Sequence, residues 1–422
     1  MVALARLCKY YTPQRLRHSC YAALVVYGLV LAGVHEQIDF QVCYRTGVRL
    51  LAGEALYRLS DGGMPFKYAP PVALFLAPLG LLPPVAAELL WTSLNAVALG
   101  YFFMAIGRDL RSLLPVPGWV VVVSVALSSE FMQHMFVLGQ IDGIILALLA
   151  VFLRHNQQRP WLAAWALALA TLIKLPYGII LLWALYERHY AQLWRVPACG
   201  VALLAAAVPV FGVSGTLAHL AAWHALLAST TTPLLCFRSN QSLWAMLCTA
   251  TSLAPEHLWK LAIPLGGICL GAGLWASLSL RRQARTAREQ ALAGRMLLAW
   301  LLYSTALLSP LGWRTNLLSL APMVMLALAL APTFSSRGAR LVIYGGVALL
   351  AGAFFGLGRE IVGAARFAVL MQYRSFGFGA LLGMSTLLLG LTWGMRRLAA
   401  AGHAGAAPLP PSFPAPLEAR NA

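Results

Sequence analysis

The sequence predicts an all-α polytopic membrane protein, and three observations carry that prediction. First, its 422 residues are 60% hydrophobic with a mean hydropathy of +0.75, and only 10% are charged, where a soluble chain carries about 25%. Second, the apolar residues form continuous runs rather than the alternating pattern of a membrane β-barrel. Third, 31 basic residues face 13 acidic ones, giving a net charge of +18, and they stand in short clusters between the apolar runs, as cytoplasmic membrane loops require. That clustering argues against a nucleic-acid partner, and the hydrophobic content excludes a disordered chain.

The first apolar run, 20–34, follows Arg6, Lys9, Arg15 and Arg17. A basic region before an apolar core also describes a signal peptide. Here His35, Glu36 and Gln37 stand where a small-residue cleavage site would be, so the run reads as an uncleaved first span with its N-terminus inside. Further runs suited to crossing lie at 85–107, 116–131, 135–153, 196–213, 258–280, 296–308, 317–331, 341–357 and 376–395. Several are shorter than the ~20 residues of a usual crossing. Two stretches decide the topology. Residues 70–82 are bracketed by Pro70, Pro71, Pro83 and Pro84, whereas 161–187 is long for one helix and carries Lys174 and Pro176 at its middle.

If the first stretch stays on the surface and the second crosses twice, six arginine clusters fall together on the side of the N-terminus: Arg108/Arg111, Arg154/Arg159, Arg188/Arg195, Arg281–Arg288, Arg337/Arg340 and Arg396/Arg397. The positive-inside rule selects that arrangement. It gives about twelve spans in one transmembrane domain over 1–397, with both termini cytoplasmic and longer outer loops at 35–84 and 214–257. The Ala/Pro-rich tail, 398–422, is expected to be disordered. The expected location is the inner, cytoplasmic membrane. None of the seven cysteines forms a CxxC pair, so no zinc or redox motif is present. Cys43, Cys236 and Cys248 fall outside, and their spacing selects no disulfide.

The first outer loop is the most informative stretch. Asp39 comes directly after the first span. Phe40, Cys43, Tyr44, Gly47, Leu50 and Leu51 recur at helical spacing up to Gly53, which predicts a short amphipathic interfacial helix. A carboxylate at that boundary has two readings: a capping or interface-solvated group, or a general base at a membrane-face active site.

Asp39-Phe40, Tyr44, Gly53, Tyr57, Tyr68-Ala69-Pro70-Pro71, Pro78 and Leu82-Pro83 are followed in order by Gly139-Gln140-Ile141-Asp142, Ile173-Lys174-Leu175-Pro176, Asn240-Gln241-Ser242-Leu243 and Ser309-Pro310 with Trp313. This ordered set resembles glycosyltransferase family 87, bacterial integral-membrane enzymes of the GT-C type, related to mannosyltransferases that use polyprenyl-phosphate mannose. The resemblance spans roughly 20–331. It implies a GT-C fold, a catalytic Asp in the first outer loop that matches Asp39, and a lipid-linked rather than nucleotide-linked sugar donor. The topology independently puts Asp39, Gln140, Lys174, Asn240 and Trp313 on the outer side. Where some family members carry His after the Ser-Pro…Trp element, this chain has Arg314, Thr315 and Asn316. Arg314 there offers a phosphate its guanidinium.

Each candidate also has a plainer reading. Lys174 is costly within a membrane and marks function by default, but it could snorkel to the interface. Gln140 and Asp142 start an apolar run, where they could cap a helix and complement its dipole. Asn240 and Gln241 suit sugar hydroxyls or a turn. Tyr57, Tyr68 and Trp313 suit stacking on a sugar or an interfacial aromatic belt. Arg238 suits a phosphate or solvent. Glu130 and His134 border the same face with no motif behind them.

The expectation is therefore an inverting transferase moving a sugar, mannose first, from a polyprenyl-phosphate donor to a lipid or glycan acceptor on the outer face. Asp39 would act as base, with Lys174, Arg238 or Arg314 on the phosphate. No cofactor is expected; a metal is not demanded, because a cationic cradle can replace one, and a divalent metal stays open. The alternative is a transporter or flippase of a lipid-linked or small anionic substrate. That reading expects charges deep in several spans and repeat symmetry, which the sequence does not display. A non-catalytic assembly subunit is a third option.

Overall fold

The computed structural model describes residues 13–61 and 65–403. Arg6, Lys9 and the tail beyond 403 lie outside the described residues. Helix α1, Pro13–Val34, is followed by α2, Ile38–Leu51, at an angle of 86° to it. The second helix thus lies across the end of the first rather than prolonging it. It buries Phe40, Cys43, Thr46 and Gly47, largely the face expected from the sequence. Helix α3, Pro70–Gly80, packs on it backbone to backbone. A Cβ on Gly47 would stand 2.4 Å from the Leu76 carbonyl oxygen, so only glycine permits the approach. With its 11 residues, α3 is about 16 Å long at ~1.5 Å per residue, too short to cross a bilayer.

Helix α4, Pro84–Arg111, leads to α5, Gly118–Leu127, and α6, Ser129–Leu138, which are bent 52° to one another. The chain then turns at Gly139, whose φ is 69°, into α7, Asp142–His155. This corrects the expected runs at 116–131 and 135–153. The reversal falls at 139–141 and not near 132–134, because the left-handed Gly139 ends α6 there. Next come α8, Pro160–Ile173, a 3₁₀ turn over Leu175–Ile180 and α9, Leu181–Tyr186. Lys174 is extended, with φ −139° and ψ 106°, and separates the two short arms, so the hairpin reading of 161–187 holds.

Helices α10, Tyr190–Ala205, α11, Val208–Thr231, α12, Leu243–Ala250, α13, Trp259–Gln283, and α14, Ala287–Leu308, follow. A 3₁₀ segment, Arg314–Leu320, runs into α15, Ala321–Leu330. Helix α16, Arg337–Ala351, the short α17, Arg359–Val362, and α18, Ala364–Gln372, precede α19, Ser375–His403. The last helix runs past the expected domain boundary at 397. Helices α14 and α15 form the buried centre, with Trp300, Leu302, Tyr303, Met323 and Leu326 almost fully enclosed.

Bonds between elements sort onto two ends. At one, Arg295 pairs with Asp109, Arg288 donates to the Leu113 carbonyl, Gln192 donates to the carbonyls of Asn156 and Pro160, and Arg396 donates to Ser279. At the other, Gln140 meets Asp39, Lys174 meets Asp142, Asn240 meets Pro310, and Arg374 meets Cys236. Among the described residues, seven helices are long and apolar enough to cross a membrane, or up to nine if each bent pair counts once, where the arginine clusters led to an expectation of about twelve spans. Shorter apolar helices lie at Pro70–Gly80, Pro160–Ile173 and Leu175–Tyr186.

One of the seven, Val208–Leu234, does not cross. Helix α10 begins at the arginine end and reaches α3 at the other. The chain beyond α11 bonds to Pro310 and Gly312 at that same end. Both ends of α11 are therefore on one side, and the helix lies along the surface. This corrects the outer loop 214–257, which is largely helical.

Candidate active site

Asp39 sits in the first turn of α2, two residues after its N-cap Gln37, and caps nothing. Its carboxylate instead accepts a hydrogen bond from the Gln140 amide, Nε2 to Oδ2, at 2.7 Å. Gln140 reaches it because the turn at Gly139 presses against α2. A Cβ on Gly139 would stand 2.7 Å from the Phe40 Cβ, and the Trp91 indole N–H holds the Gly139 carbonyl at 2.7 Å. Burial pushes the Asp39 carboxyl up to about 6, with Asp142 adding to the rise, while the Gln140 bond and the Lys174 charge pull it down. The group is thus ionised at neutral pH yet more basic than an exposed aspartate, which is what a general base needs.

Behind Gln140 is a closed polar chain. Asp142 is 1% exposed and accepts from the Lys174 ammonium at 2.7 Å. The buried Thr315 hydroxyl lies against both the Gln140 side-chain carbonyl and Asp142 Oδ2. With one proton, Thr315 donates to one of them at a time. Either bond limits rotation of the Gln140 amide, so its N–H₂ faces Asp39. Sequence reading placed Thr315 only as a departure from the family pattern. Its role became visible once the 3₁₀ segment was packed on α7.

Lys174, expected on the donor phosphate, is thus committed to Asp142. Its charge already balances a buried carboxylate. Asp142 is held in the same ion pair. Asn240 is fully buried. It donates to the Leu235 and Pro310 carbonyls and accepts from the Ser242 and Gly312 amides. Gln241 donates to the Arg238 carbonyl and accepts from the Gly377 amide. Neither amide is left to bind a sugar. They join the 240s loop to the 310s loop, where Asn240 bridges Trp313.

Arg314 is also engaged. It pairs with Glu130 at 2.6 Å, contacts His134 at 3.1 Å and lies over Phe367 and Phe376. Glu130 and His134 thus have a partner that no sequence motif announced. Arg238 is exposed at the same end. The Tyr57 hydroxyl donates to the Tyr68 carbonyl at 2.8 Å. Burial raises the Tyr68 hydroxyl well above its ordinary range, with Cys43, Asp39 and Asp142 adding to the rise. A Cys236–Cys248 disulfide closes the 240s loop. Among the described residues, no three His, Cys, Asp or Glu side chains converge as metal ligands.

The arrangement offers one basic carboxylate, oriented by an amide that is itself held, at the end of a membrane bundle. An alpha-(1->3)-arabinofuranosyltransferase of Corynebacterium glutamicum is 27% identical over 165 residues, which are 37% of this chain and 38% of that protein. The chain therefore covers well under two thirds of that relative. The family model for glycosyltransferase family 87 matches residues 66–310, including Tyr68, Gln140, Asp142, Lys174 and Asn240. Asp39, Tyr57, Trp313 and Arg314 lie beyond that match. With more than half of its length matched, the chain belongs to glycosyltransferase family 87 and is a multi-pass membrane glycosyltransferase.

Proposed function

We propose that the chain transfers a sugar from a polyprenyl-phosphate donor to a hydroxyl of a lipid or glycan acceptor, on the outer face of the cytoplasmic membrane, with inversion. The observation that carries this reading is Asp39: a half-buried carboxylate oriented by Gln140 at the mouth of the bundle. The acceptor O–H gives its proton to Asp39 as the oxygen attacks the anomeric carbon. The C–O bond to phosphate breaks, and polyprenyl phosphate leaves with the electron pair. The oxocarbenium-like transition state gains most from groups fixed beforehand in a site that excludes water. No cofactor is assigned, since the leaving group departs on its own carrier and cations meet its charge.

Two features support the outer placement. Arginine clusters concentrate at the opposite end, as cytoplasmic loops do. The Cys236–Cys248 disulfide lies at the site end, and such bonds persist in oxidising compartments. The transporter reading loses ground because the ion pairs stand at the two ends rather than along a path between them. The relative's activity puts arabinofuranose beside mannose as the sugars to try first. The test is purified protein offered a panel of radiolabelled polyprenyl-phosphate sugars and membrane-lipid or glycan acceptors. Transfer of one sugar supports the reading, and uptake of label into sealed vesicles without transfer would favour transport.

A further inference from the structure

Once Lys174 and Arg314 are assigned to carboxylates, the leaving phosphate lacks a buried cation. At the site end, the lysines and arginines that are not fully exposed can be taken in turn. Arg49 holds Asp61, Arg58 holds Glu54, Lys174 holds Asp142 and Arg314 holds Glu130. Arg374 is spent on the carbonyls of Cys236, Met371 and Gln372. Lys67 is half-buried, and among the described residues its ammonium holds no acceptor. Burial alone lowers it to about 8, with no carboxylate acting on it. An unpaired cation out of water is costly. A molecule that keeps one has an anion to receive.

The surroundings of Lys67 suit an amphiphile. Its backbone carbonyl accepts the Trp223 indole N–H of α11 at 2.9 Å, which fixes this loop against the helix lying along the surface. The same loop meets that helix through Tyr57, whose ring centroid is 6.2 Å from that of His219, and the helix exposes Leu217 two residues from it in sequence. On the other side, the Ala69 amide donates to the Leu172 carbonyl at 3.1 Å, two residues before Lys174, which pairs with Asp142 behind Gln140. The segment therefore stands between that polar chain and α11.

We propose that Lys67 binds the phosphate of the lipid-linked donor, with the prenyl chain running along α11. The proposal rests on the polyprenyl-phosphate reading above. Inversion places the base and the leaving group on opposite sides of the sugar, so the phosphate needs a cation other than those serving the base.

The test measures binding of a long-chain polyprenyl monophosphate and of the uncharged polyprenol of equal length. Wild type, Lys67→Gln and Lys67→Arg are compared in nanodiscs, with and without excess phosphatidylglycerol. Wild type should prefer the monophosphate. Lys67→Gln should bind it roughly ten-fold or more weakly, the scale of one charge-assisted bond, with polyprenol binding unchanged. Lys67→Arg should keep part of the preference. Because Lys67 breaks no bond when replaced, Lys67→Gln should melt no lower than wild type. A Lys67→Gln that still prefers the monophosphate overturns the proposal. So does competition by phosphatidylglycerol at the preference itself, which would make Lys67 a bulk-headgroup contact. So does a marked loss of stability in Lys67→Gln. A wild type with no preference overturns the donor reading, and the role of Lys67 with it.

Discussion

Replacing Asp39 by Asn separates catalysis from stability, because the structure predicts opposite effects on the two. The Asn side-chain oxygen can still accept the Gln140 bond, seen at 2.7 Å with the carboxylate, so the first turn of α2 keeps its geometry. What disappears is the basic oxygen. Loss of a general base costs about 10²–10⁴ in rate, which is about 3–5 kcal/mol of barrier at ~1.36 kcal/mol per tenfold. Stability should move the other way. Burial raises the Asp39 carboxyl from 3.8 to about 6. A raised folded-state value means the folded protein prefers the protonated form. Stability therefore falls as pH rises from about 4 to about 6 and stays lowered above that. At pH 7 the ionised group costs about 2–3 kcal/mol, much of which a neutral Asn relieves. Transfer and thermal unfolding of detergent-purified variants are the paired assays, with Glu36→Gln as control. Glu36 is exposed and bonded to Gln41, so its loss should change either quantity little. An Asp39→Asn enzyme with near-wild-type transfer would refute the base assignment. One that transfers poorly and also unfolds earlier would show that Asp39 is a structural partner instead.

Three further outcomes follow from the same geometry. The rate should fall as pH drops through about 6, because the base must be ionised, and a pH–rate profile flat from 5 to 7 would contradict this. Lys174→Met should destabilise the protein by about 3–5 kcal/mol, since it leaves a buried carboxylate unpaired; Asp142→Leu in the same chain should restore most of it, as read by thermal unfolding. Single cysteines at Ser60 and Ser239 should react with an impermeant reagent applied to intact cells, whereas one at Arg285 should not; the reverse pattern would invert the topology.

Much of this molecule was legible in the sequence. Asp39, the Gln140–Asp142 turn and Lys174 stood out as polar groups at the edges of apolar runs, and the arginine clusters placed them on one side. Their roles were less legible. Lys174 looked like a phosphate ligand because a lone intramembrane lysine shows its charge but not its partner, which lies 32 residues away. Asn240 looked like a sugar ligand because an amide in a loop serves a hydroxyl and a backbone equally well; only packing showed it joining the chain to Pro310 and Gly312. Thr315 and Lys67 carried no signal, since one needed a long-range contact and the other the lack of one. Helix α11 was read as the end of a span and the start of an outer loop, because Gly212, Ser214, Gly215 and Thr216 interrupt its apolar run.

The central claim is a single displacement with Asp39 as base, and the measurement that tests it most directly is the anomeric configuration of the product. Transfer from a polyprenyl-phosphate sugar of known anomeric configuration, followed by NMR of the purified product, decides it. The account predicts inversion, because Asp39 activates the acceptor for one direct displacement. Retention of the donor's configuration would contradict it, since retention needs two displacements through a covalent intermediate.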